Sequence, residues 1–344
     1  MSSEKPLLVV LGATGKQGGS VISYFLSLPT SPYALRGITR NPSSSKAASL
    51  AAAGVEIVKA DIDDPSSLDA AFKGASAIFS VTDFWVNFFN PSEREKAAAA
   101  GHSIGVHSRE REIQMSRNII DAAAKVSTLD RFIFSGLNDP KKLSGGKYQH
   151  IYHFEGKSLA EEYGKSAQPE LWAKTSLLYA GLYLENHLGP GGSFYRPKLN
   201  QAKDTLTLTL PDTLAKSLFP MYSAVDDTGA LVHALLQAAP GKKLLGVNEQ
   251  ASLRDLAEIM GELLKKKVEF VDSYPGLETG DPDFDKEITE MIGYCVEFGY
   301  YGENSEHADK STVSPGDLGV PVKLQSIKEW FKKQDWDKEL ETAA

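Results

Sequence analysis

The stretch LLVVLGATGKQGGSV, residues 7–21, decides the fold of this chain. A short apolar run is followed at once by glycines at positions 12, 15 and 18, and then by a helix-like segment. Glycines at this spacing let the backbone turn tightly and approach a pyrophosphate, whose charge is met by the helix N-terminus. Because they lie at the first strand-to-helix junction, they predict a dinucleotide site rather than a purely structural turn. The residues predicted to hold the dinucleotide here are Gly12, Thr14, Gly15, Lys16, Gln17 and Gly18.

The rest of the first half alternates between strand and helix patterns. Apolar, strand-like runs lie at residues 34–40, 55–61, 76–82 and 130–136, each followed by a helical pattern. This alternation predicts parallel strands joined by right-handed helical crossovers, that is, an α/β fold with a Rossmann-type doubly wound parallel sheet. The rhythm breaks at HLGPGGSFYRP, residues 187–197. We therefore expect a dinucleotide-binding domain at residues 1–186 and a smaller mixed α/β region at residues 187–344.

The end of the second strand predicts which dinucleotide binds. An NAD site usually carries an acidic residue there, which holds the ribose 2′-hydroxyl. The sequence instead reads GITRNPSSS, residues 37–45, and places Arg40 in that region. A guanidinium pairs with a 2′-phosphate, and Thr39 and Asn41 can add hydrogen bonds. We therefore predict NADP(H) in preference to NAD(H), with a solvated strand-end arginine as the alternative.

The connection after the fourth strand, residues 83–108, is predicted to be a long loop. It begins at the carboxyl end of a strand, where open α/β sheets place their ligands. Its aromatic residues Phe84, Trp85, Phe88 and Phe89 can line a substrate or partner cleft, or can anchor the loop to the core.

Composition excludes several classes of function. The net charge of -8 lacks the basic footprint of a nucleic-acid-binding protein, so direct nucleic-acid binding is not expected. A single cysteine fits a reducing compartment, and neither a signal-peptide pattern nor a membrane-spanning apolar run is present. His102 and His107 lack a matching acidic cluster, so no metal site is expected. These features predict a cytoplasmic protein that does not bind membranes, and they leave additional residence in the nucleus open.

Several of these motifs together resemble the NmrA-like family, a branch of the atypical short-chain dehydrogenase/reductases. The resemblance is carried by VVLGATGKQGGSV, ITRNP, GVEIVKADIDDPSSLDAAFKG and EIQMSRNIIDAAAKVSTLDRFIFSGL, and it continues through HFEGK and LYLEN to YSAVDDTGALVHALL. The segment NPSEREKAAAAG within the long loop resembles fungal members. The resemblance implies a Rossmann domain with a small α/β substrate domain, and some chain crossing back to the Rossmann domain near residues 222–240.

The resemblance also implies where the rest of the site lies. Ala180 and Gly181 can bring the backbone close to the nicotinamide, and Asp61 can hydrogen-bond the adenine or simply cap the following turn. The further residues expected to bind the dinucleotide are Asp61, Ile62, Val81, Thr82, Lys157, Ala180 and Gly181. The residues expected to border a substrate or partner cleft are Phe84, Trp85, Tyr183 and Asn186, with Glu185 beside them.

In short-chain dehydrogenases a serine, a tyrosine and a lysine act together, and the tyrosine gives or takes the proton. Ser135 and Lys157 match the serine and the lysine, but the residue four places before Lys157 is His153. Positions i and i+4 share a helix face, so Tyr152 would need a distortion such as a π-bulge to take that place. Three interpretations follow: Lys157 only binds the nicotinamide ribose, His153 acts as a weaker acid, or the pair is a structural helix face.

The family implies two kinds of function. Some members are redox-sensing regulators that bind the dinucleotide and a partner protein, and related branches are NADPH-dependent reductases of small, often aromatic, molecules. Because the tyrosine is displaced, the first hypothesis is a dinucleotide-responsive regulator with weak or no oxidoreductase activity. The alternative is an NADPH-dependent reductase of a small carbonyl or quinone metabolite. The expected partner is accordingly a regulatory protein or a small-molecule substrate.

Overall fold

A computed structural model describes residues 5–189, 196–273, 277 and 279–341 of the chain. The strands are β1 (Leu7–Val10), β2 (Ala34–Thr39), β3 (Glu56–Lys59), β4 (Ala77–Ser80), β5 (Arg131–Gly136), β6 (Thr175–Ala180), β7 (Leu182–Tyr183), β8 (Lys198–Leu199), β9 (Thr205–Thr209), β10 (Leu218–Tyr222), β11 (Lys243–Gly246), β12 (Glu249–Ser252), β13 (Lys267–Val271) and β14 (Thr312–Val313). Most of the glycine-rich break in HLGPGGSFYRP, residues 190–195, lies outside the described residues.

The helices are α1 (Lys16–Ser27), α2 (Ser45–Ala52), α3 (Pro65–Phe72), α4 (Phe84–Phe88), α5 (Pro91–Ala99), α6 (Ile104–Ala124), α7 (Pro140–Leu143), α8 (Tyr152–Ala167), α9 (Pro169–Trp172), α10 (Asp212–Lys216), α11 (Thr228–Gln237), α12 (Leu253–Leu264), α13 (Pro282–Phe298), α14 (Ile327–Lys332) and α15 (Trp336–Glu341). No helix in the described part of the chain combines the length and the apolar composition needed to cross a bilayer.

Eight of the described strands form one parallel sheet in the order β14-β11-β6-β5-β4-β1-β2-β3. The chain runs outward from β1 through β2 to β3 and then returns to the other side of β1 with β4. Strand order therefore reverses between β1 and β4, and open α/β sheets bind ligands in the crevice at the carboxyl ends of strands at such a point. The predicted Rossmann-type doubly wound sheet is confirmed.

Strand β1 is buried on both faces of this sheet. Leu8 and Val10 belong to one hydrophobic cluster, whereas Val9 and Leu11 belong to another. Successive side chains of a strand point to opposite faces, so the two clusters are the cores on the two sides of the sheet. A strand that is covered on both faces needs apolar residues at every position, which explains the continuous run in the sequence.

Helix α1 crosses β1 at very short range. A Cβ atom on Gly18 would lie 2.3 Å from the Gly12 carbonyl oxygen and 2.5 Å from that of Leu11. On its other side α1 meets α11, where a Cβ on Gly229 would lie 2.6 Å from the Ser20 carbonyl oxygen. The Gly229 N–H also donates to Ser20 Oγ at 3.1 Å. Two glycines therefore set the position of α1 between β1 and α11.

The prediction that residues 83–108 form a long loop is wrong. Most of it folds into α4, α5 and the first turn of α6. The side chains of Asp83, Asn90 and Ser103 cap these three helices, and Pro91 occupies the first turn of α5. Asn before Pro, with a glycine at Gly101 just beyond the helix, is a typical start and stop signal. The many aromatic residues of the segment drew the prediction toward a ligand-binding loop, and these helix signals were not used.

The second half of the chain contributes to more than one layer. Strands β11 and β14 extend the large sheet beyond β6, and two small sheets have the strand orders β12-β10-β7 and β13-β9-β8. The segment predicted to return near residues 222–240 contains α11, which packs on α1. The division of the chain into two domains at residue 186 stays a prediction.

Gly18→Ala is expected to destabilise the fold, because its Cβ would meet backbone atoms that cannot move without shifting β1 or α1. Overpacking of this kind costs about 1–3 kcal/mol or more. Gly19→Ala is the matched control, because its Cβ would lie 3.4 Å from the Ala13 carbonyl oxygen, and helix propensity then favours alanine by up to about 1 kcal/mol. Urea unfolding of both variants tests this. Equal stability of the two would contradict the close crossing.

Candidate functional site

The glycine loop forms a turn that is open to ligands. Gly12 has a φ of +62°, in the left-handed region that favours glycine. The Gly15 N–H donates to the Gly12 carbonyl at 2.8 Å, and α1 starts immediately afterwards without a side-chain cap. The first-turn N–H groups of α1 therefore have no side-chain acceptor and are suited to an anion. Gly12, Gly15 and Lys16 are all exposed, so a pyrophosphate can reach the loop.

Two strand ends meet at this turn. A Cβ on Gly12 would lie 3.2 Å from Cγ1 of Val81, which follows β4, so only a glycine leaves the crevice between β1 and β4 open. Tyr183, predicted for the substrate cleft, lies against the first turn of α1. Gln17 Nε2 donates to its hydroxyl at 2.5 Å, and Lys16 Nζ lies 5.9 Å from its ring centre. Burial raises the pKa of Tyr183 to about 12, so the phenol stays neutral.

Arg40 lies exposed beyond the end of β2 and makes no hydrogen bond or ion pair with any described residue. Its predicted neighbours are already engaged, since Thr39 Oγ1 accepts the Asn41 N–H at 3.2 Å, and Asn41 Oδ1 accepts the Ser43 N–H at 3.1 Å. Lys46 on α2 was not predicted, yet its Nζ lies 3.4 Å from the Thr14 carbonyl oxygen of the glycine loop. Lys46 therefore contacts the loop itself, and Arg40 follows β2, whose Ile38 carbonyl accepts the Ala13 N–H of the loop at 3.3 Å.

Asp61 and Ile62 form the turn after β3. Asp61 Oδ1 accepts the Asp63 N–H at 3.1 Å, which is the turn-capping role that the sequence left open beside adenine binding. The Ile62 carbonyl accepts from Asn118 Nδ2 at 2.9 Å. These bonds fix the turn on α6 and leave the second carboxylate oxygen of Asp61, which is exposed, without a hydrogen bond from the described part of the chain.

Lys157 is bound by three acceptors. Its Nζ donates to the Thr82 carbonyl at 3.1 Å, to Thr82 Oγ1 at 3.2 Å and to Glu112 Oε1. Thr82 Oγ1 in turn donates to the same Glu112 oxygen at 2.8 Å. An ammonium group has three N–H bonds, so all of them are used. A ribose hydroxyl can bind Lys157 only in exchange for one of these partners.

Glu112 is the residue of this cluster that sequence reasoning missed. Its side chain is fully buried although α6 carries many charged residues. A Cβ on Gly156 would lie 2.9 Å from Glu112 Oε2, so the glycine of HFEGK admits the carboxylate between α6 and α8. The signal was present, because Glu112 shares the helix face of the buried Ser116 and Ile119, and a charged residue on a buried face needs a partner.

His153 is bound by a second unpredicted carboxylate. Glu287 Oε1, on α13, accepts the His153 backbone N–H at 3.0 Å and contacts Nδ1 at 2.5 Å. The side chain of Glu287 is 1% exposed and that of His153 is 12% exposed. The imidazole centre lies 5.0 Å from the ring of Trp85 and 6.0 Å from that of Phe84. The structure therefore holds the predicted acid in a fixed, largely apolar position.

The other catalytic candidates have different surroundings. Ser135 is buried at the end of β5, and its Oγ has no hydrogen-bond partner among the described residues. The ring of Tyr152 packs on α6, where a Cβ on Gly105 would lie 2.5 Å from it, and the Arg109 guanidinium lies 5.4 Å from its centre. Burial raises the pKa of Tyr152. Helix α8 begins at Tyr152 without a π-bulge, so Tyr152 does not share the face of Lys157.

The aromatic residues after β4 divide into two groups. Phe84 and Phe88 are buried and anchor α4, as one interpretation expected. Trp85 and Phe89 stack with ring centres 5.7 Å apart, and Phe284 of α13 lies 5.6 Å from Trp85 and 5.7 Å from Phe89. These three rings form the aromatic wall (Trp85, Phe89 and Phe284), which meets His153 through Trp85. The anchoring interpretation therefore applies to Phe84 and Phe88, and a substrate or partner cleft at the other rings stays a prediction.

The residues after β6 have structural roles. A Cβ on Gly181 would lie 2.4 Å from the carbonyl oxygens of Gly246 and Pro220, so this glycine is required by packing of protein backbone. Ala180 is buried where β6 pairs with β11. Glu185 accepts the N–H groups of Ala224 and Val225, both at 3.0 Å, and so caps the turn before α11. Asn186 is half-buried beside it.

Known proteins resemble this chain along nearly its whole length. The model of the NmrA-like family matches residues 4–331. An NmrA-like family domain-containing oxidoreductase of Aspergillus hancockii is 28% identical over 97% of this chain and 98% of its own. A relative of the same description from Penicillium ochrochloron is 25% identical over 97% of this chain and 99% of its own.

Two solved structures show the same architecture. NmrA, a negative transcriptional regulator, in complex with NADP, has a TM-score of 0.73 at 18% identity and covers 98% of this chain and 97% of its own. Triphenylmethane reductase of Citrobacter sp., complexed with NADP(H), has a TM-score of 0.61 at 20% identity and covers 95% of this chain and 99% of its own. At these identities the likeness concerns the fold alone.

Lys157→Met is expected to lower the free energy of unfolding by about 3–5 kcal/mol, because it leaves the buried Glu112 carboxylate without its cation. The double variant Glu112→Leu/Lys157→Met should lose less free energy of unfolding than Lys157→Met alone, because no unpaired carboxylate is left. Lys165→Met is the matched control, since Lys165 pairs with Glu161 on the same helix but its side chain is 44% exposed, and such pairs contribute about 0–1 kcal/mol. Urea unfolding measures all three. A single variant no less stable than the control would contradict the buried pair.

Proposed function

The chain belongs to the NmrA-like family, and on that basis we propose that it is an NADP(H)-dependent oxidoreductase that acts on a small apolar carbonyl or quinone compound. The observation that carries the enzymatic part is His153, whose ring is held by Glu287 at the aromatic wall, one turn before Lys157 on α8. An imidazole fixed here, on the same helix face as Lys157, is suited to giving a proton to a bound carbonyl group. The curated relatives are named oxidoreductases, which supports the same conclusion.

The residues present fit a dinucleotide. The uncapped first turn of α1 would hold the pyrophosphate, and a side chain at Gly12 would narrow the crevice beside Val81. Arg40 and Lys46 would bind a 2′-phosphate, since Lys46 contacts the loop, Arg40 follows β2 and no carboxylate occupies the end of β2. When bound, the reduced nicotinamide supplies the hydride.

The acceptor would lie against the aromatic wall, where rings and few polar groups favour a flat apolar molecule. His153 would hold the proton that the acceptor oxygen takes up, since its ring is fixed by Glu287 and lies 5.0 Å from the ring of Trp85. Lys157 would fix the Thr82 carbonyl at the end of β4 through the bonds described above. The apolar rings would also keep water away from the reacting carbon.

This proposal reverses the order of the two hypotheses from the sequence. The regulator came first because the displaced tyrosine left no evident acid, and no local pattern indicates that a glutamate 134 residues away supports His153. Regulation through a dinucleotide and a protein partner stays a prediction, as do the cytoplasmic or nuclear location and the absence of nucleic-acid binding.

NADP(H) is expected to bind more tightly than NAD(H), because Arg40 and Lys46 can neutralise a 2′-phosphate. Arg40→Ala should weaken NADP+ binding by about 10–100-fold, the equivalent of one charge-assisted hydrogen bond, and should leave NAD+ binding unchanged. Lys46→Ala should have a smaller effect of the same sign. Calorimetry with both dinucleotides measures this. Tighter NAD+ binding by the unaltered protein would overturn the preference.

The protein is expected to oxidise NADPH with saturable dependence on at least one aromatic aldehyde, ketone or quinone of a panel. His153→Ala should lower kcat by about 10²-fold or more, the usual contribution of a general acid, without changing NADP+ affinity. Trp85→Ala should chiefly raise the KM of the acceptor. His150→Ala is the control, because His150 also pairs with a glutamate of α13 but lies nearer the surface. Dinucleotide binding without any turnover would favour the regulator.

A further inference from the structure

Helix α13, from the second half of the chain, meets the first turn of α8 and the segment before it through a row of carboxylates. Glu287 binds His153, Glu290 binds His150, and Glu297 accepts from Tyr148 at 3.0 Å. Positions separated by three and by seven residues lie on one face of a helix, so these contacts form a continuous strip. Helix α13 is therefore held against residues 147–153 by charged and polar bonds along that face.

The N-terminal end of α13 is fixed separately. Asp281 forms an ion pair with Arg94 of α5. Asp283 Oδ2 accepts the N–H of Ile104, the first residue of α6, at 3.1 Å. Both contacts precede Glu287 by about one or two helical turns. They therefore fix the position of α13 along its axis, and with it the place where Glu287 meets His153. The second half of the chain thus completes a site whose other residues come from the first half.

The contact between Glu287 and His153 differs from an ordinary surface pair. A single oxygen, Oε1, accepts the backbone N–H and contacts Nδ1, whereas Oε2 is buried and has no hydrogen-bond partner among the described residues. Burial raises the pKa of Glu287, and the bonds from His153 act against this rise. A carboxylate at this place accepts hydrogen bonds, so the Nδ1 position of His153 carries a proton and Nε2 is the nitrogen left for exchange.

We propose that Glu287 is the positioning residue of the reductase, fixing His153 in the form that is protonated at Nδ1 and presents Nε2 to the acceptor. The inference rests on the proposed function. In the reduction of a carbonyl, the carbon receives the hydride of NADPH and the oxygen receives the Nε2 proton of the imidazolium. The C=O π bond is lost, an alcohol and NADP+ are formed, and His153 is left neutral with its proton on Nδ1. Nε2 then takes up a proton from the bulk solvent, so that the whole reaction consumes one carbonyl, one NADPH and one solvent proton.

The chain contains its own matched comparison. Glu290 makes the same kind of bonds, accepting the His150 backbone N–H at 2.8 Å and contacting His150 Nδ1 at 2.5 Å. The side chains of this pair are 31% and 22% exposed, against 12% and 1% for His153 and Glu287. Loss of either glutamate removes one support of α13, but only Glu287 acts on the imidazole at the aromatic wall. Variants of Glu287 and Glu290 therefore separate an effect on the position of the His153 ring from an effect on the packing of α13.

The test compares Glu287→Gln, Glu287→Asp and Glu290→Gln in the full chain. Glu287→Gln should lower kcat for a carbonyl acceptor by about 10²-fold, with KM for NADPH and NADP+ affinity unchanged, and Glu287→Asp should recover part of the rate. Glu290→Gln should stay within about threefold of the unaltered protein. Nitrogen NMR, with the His153 signals assigned from His153→Gln, should show the Nδ1-protonated form in the unaltered protein and a shift toward the Nε2–H tautomer in Glu287→Gln.

The outcomes separate this inference from the proposed function. Unchanged kcat in Glu287→Gln, or an equal loss in Glu290→Gln, would overturn the positioning role. If the unaltered protein turns over no acceptor, the proposed function fails. The NMR result alone then decides whether Glu287 positions His153. An Nε2–H tautomer in the unaltered protein then overturns the inference, and a Glu287-dependent Nδ1–H form supports it. If Glu287→Gln does not fold, kcat and the tautomer in Glu287→Asp decide in the same way.

Discussion

The close crossing of α1 over the end of β1 is the constraint on which the rest of the structure depends. The backbone carbonyls of Leu11 and Gly12 leave no room for a Cβ at Gly18, and α11 presses on the opposite side at Gly229. A helix held this closely directs its N-terminal N–H groups to the point where strand order reverses. The anion-binding turn is thus a consequence of main-chain packing, and the preference proposed for NADP(H) depends on side chains such as Arg40 and Lys46.

Two buried carboxylates organise the chemistry beside that site. Glu112 binds Lys157 from within the first half of the chain, and Glu287 binds His153 from the second half. A buried anion is costly unless it is paired, so each glutamate stabilises its cation or imidazole in one geometry. The two pairs have no residue in common. The lysine that supports the end of β4 and the histidine at the aromatic wall therefore have separate supports.

The sequence predicted the parts that local pattern controls. Strand β1, the glycine turn and the start of α1 follow from apolar runs, glycine spacing and helix termini, and all three lie where expected. Glu112 and Glu287 were missed because their roles depend on partners 45 and 134 residues away, and a glutamate in a charged helix looks solvated until its face is known. The helices at residues 84–108 were missed for another reason: Asn90, Pro91 and Gly101 carry local signals that the neighbouring aromatic residues obscured.

The independence of the two pairs has a consequence for how such proteins change over time. A replacement of His153 or Glu287 would remove the proposed proton donor or its support while the glycine loop, Arg40 and the Glu112–Lys157 pair stayed intact. If the proposed function holds, a descendant could therefore lose catalysis in a single substitution and still bind its dinucleotide. Enzyme and sensor would then be neighbouring states of one scaffold, separated by one side chain on α8 or α13 and not by a new fold.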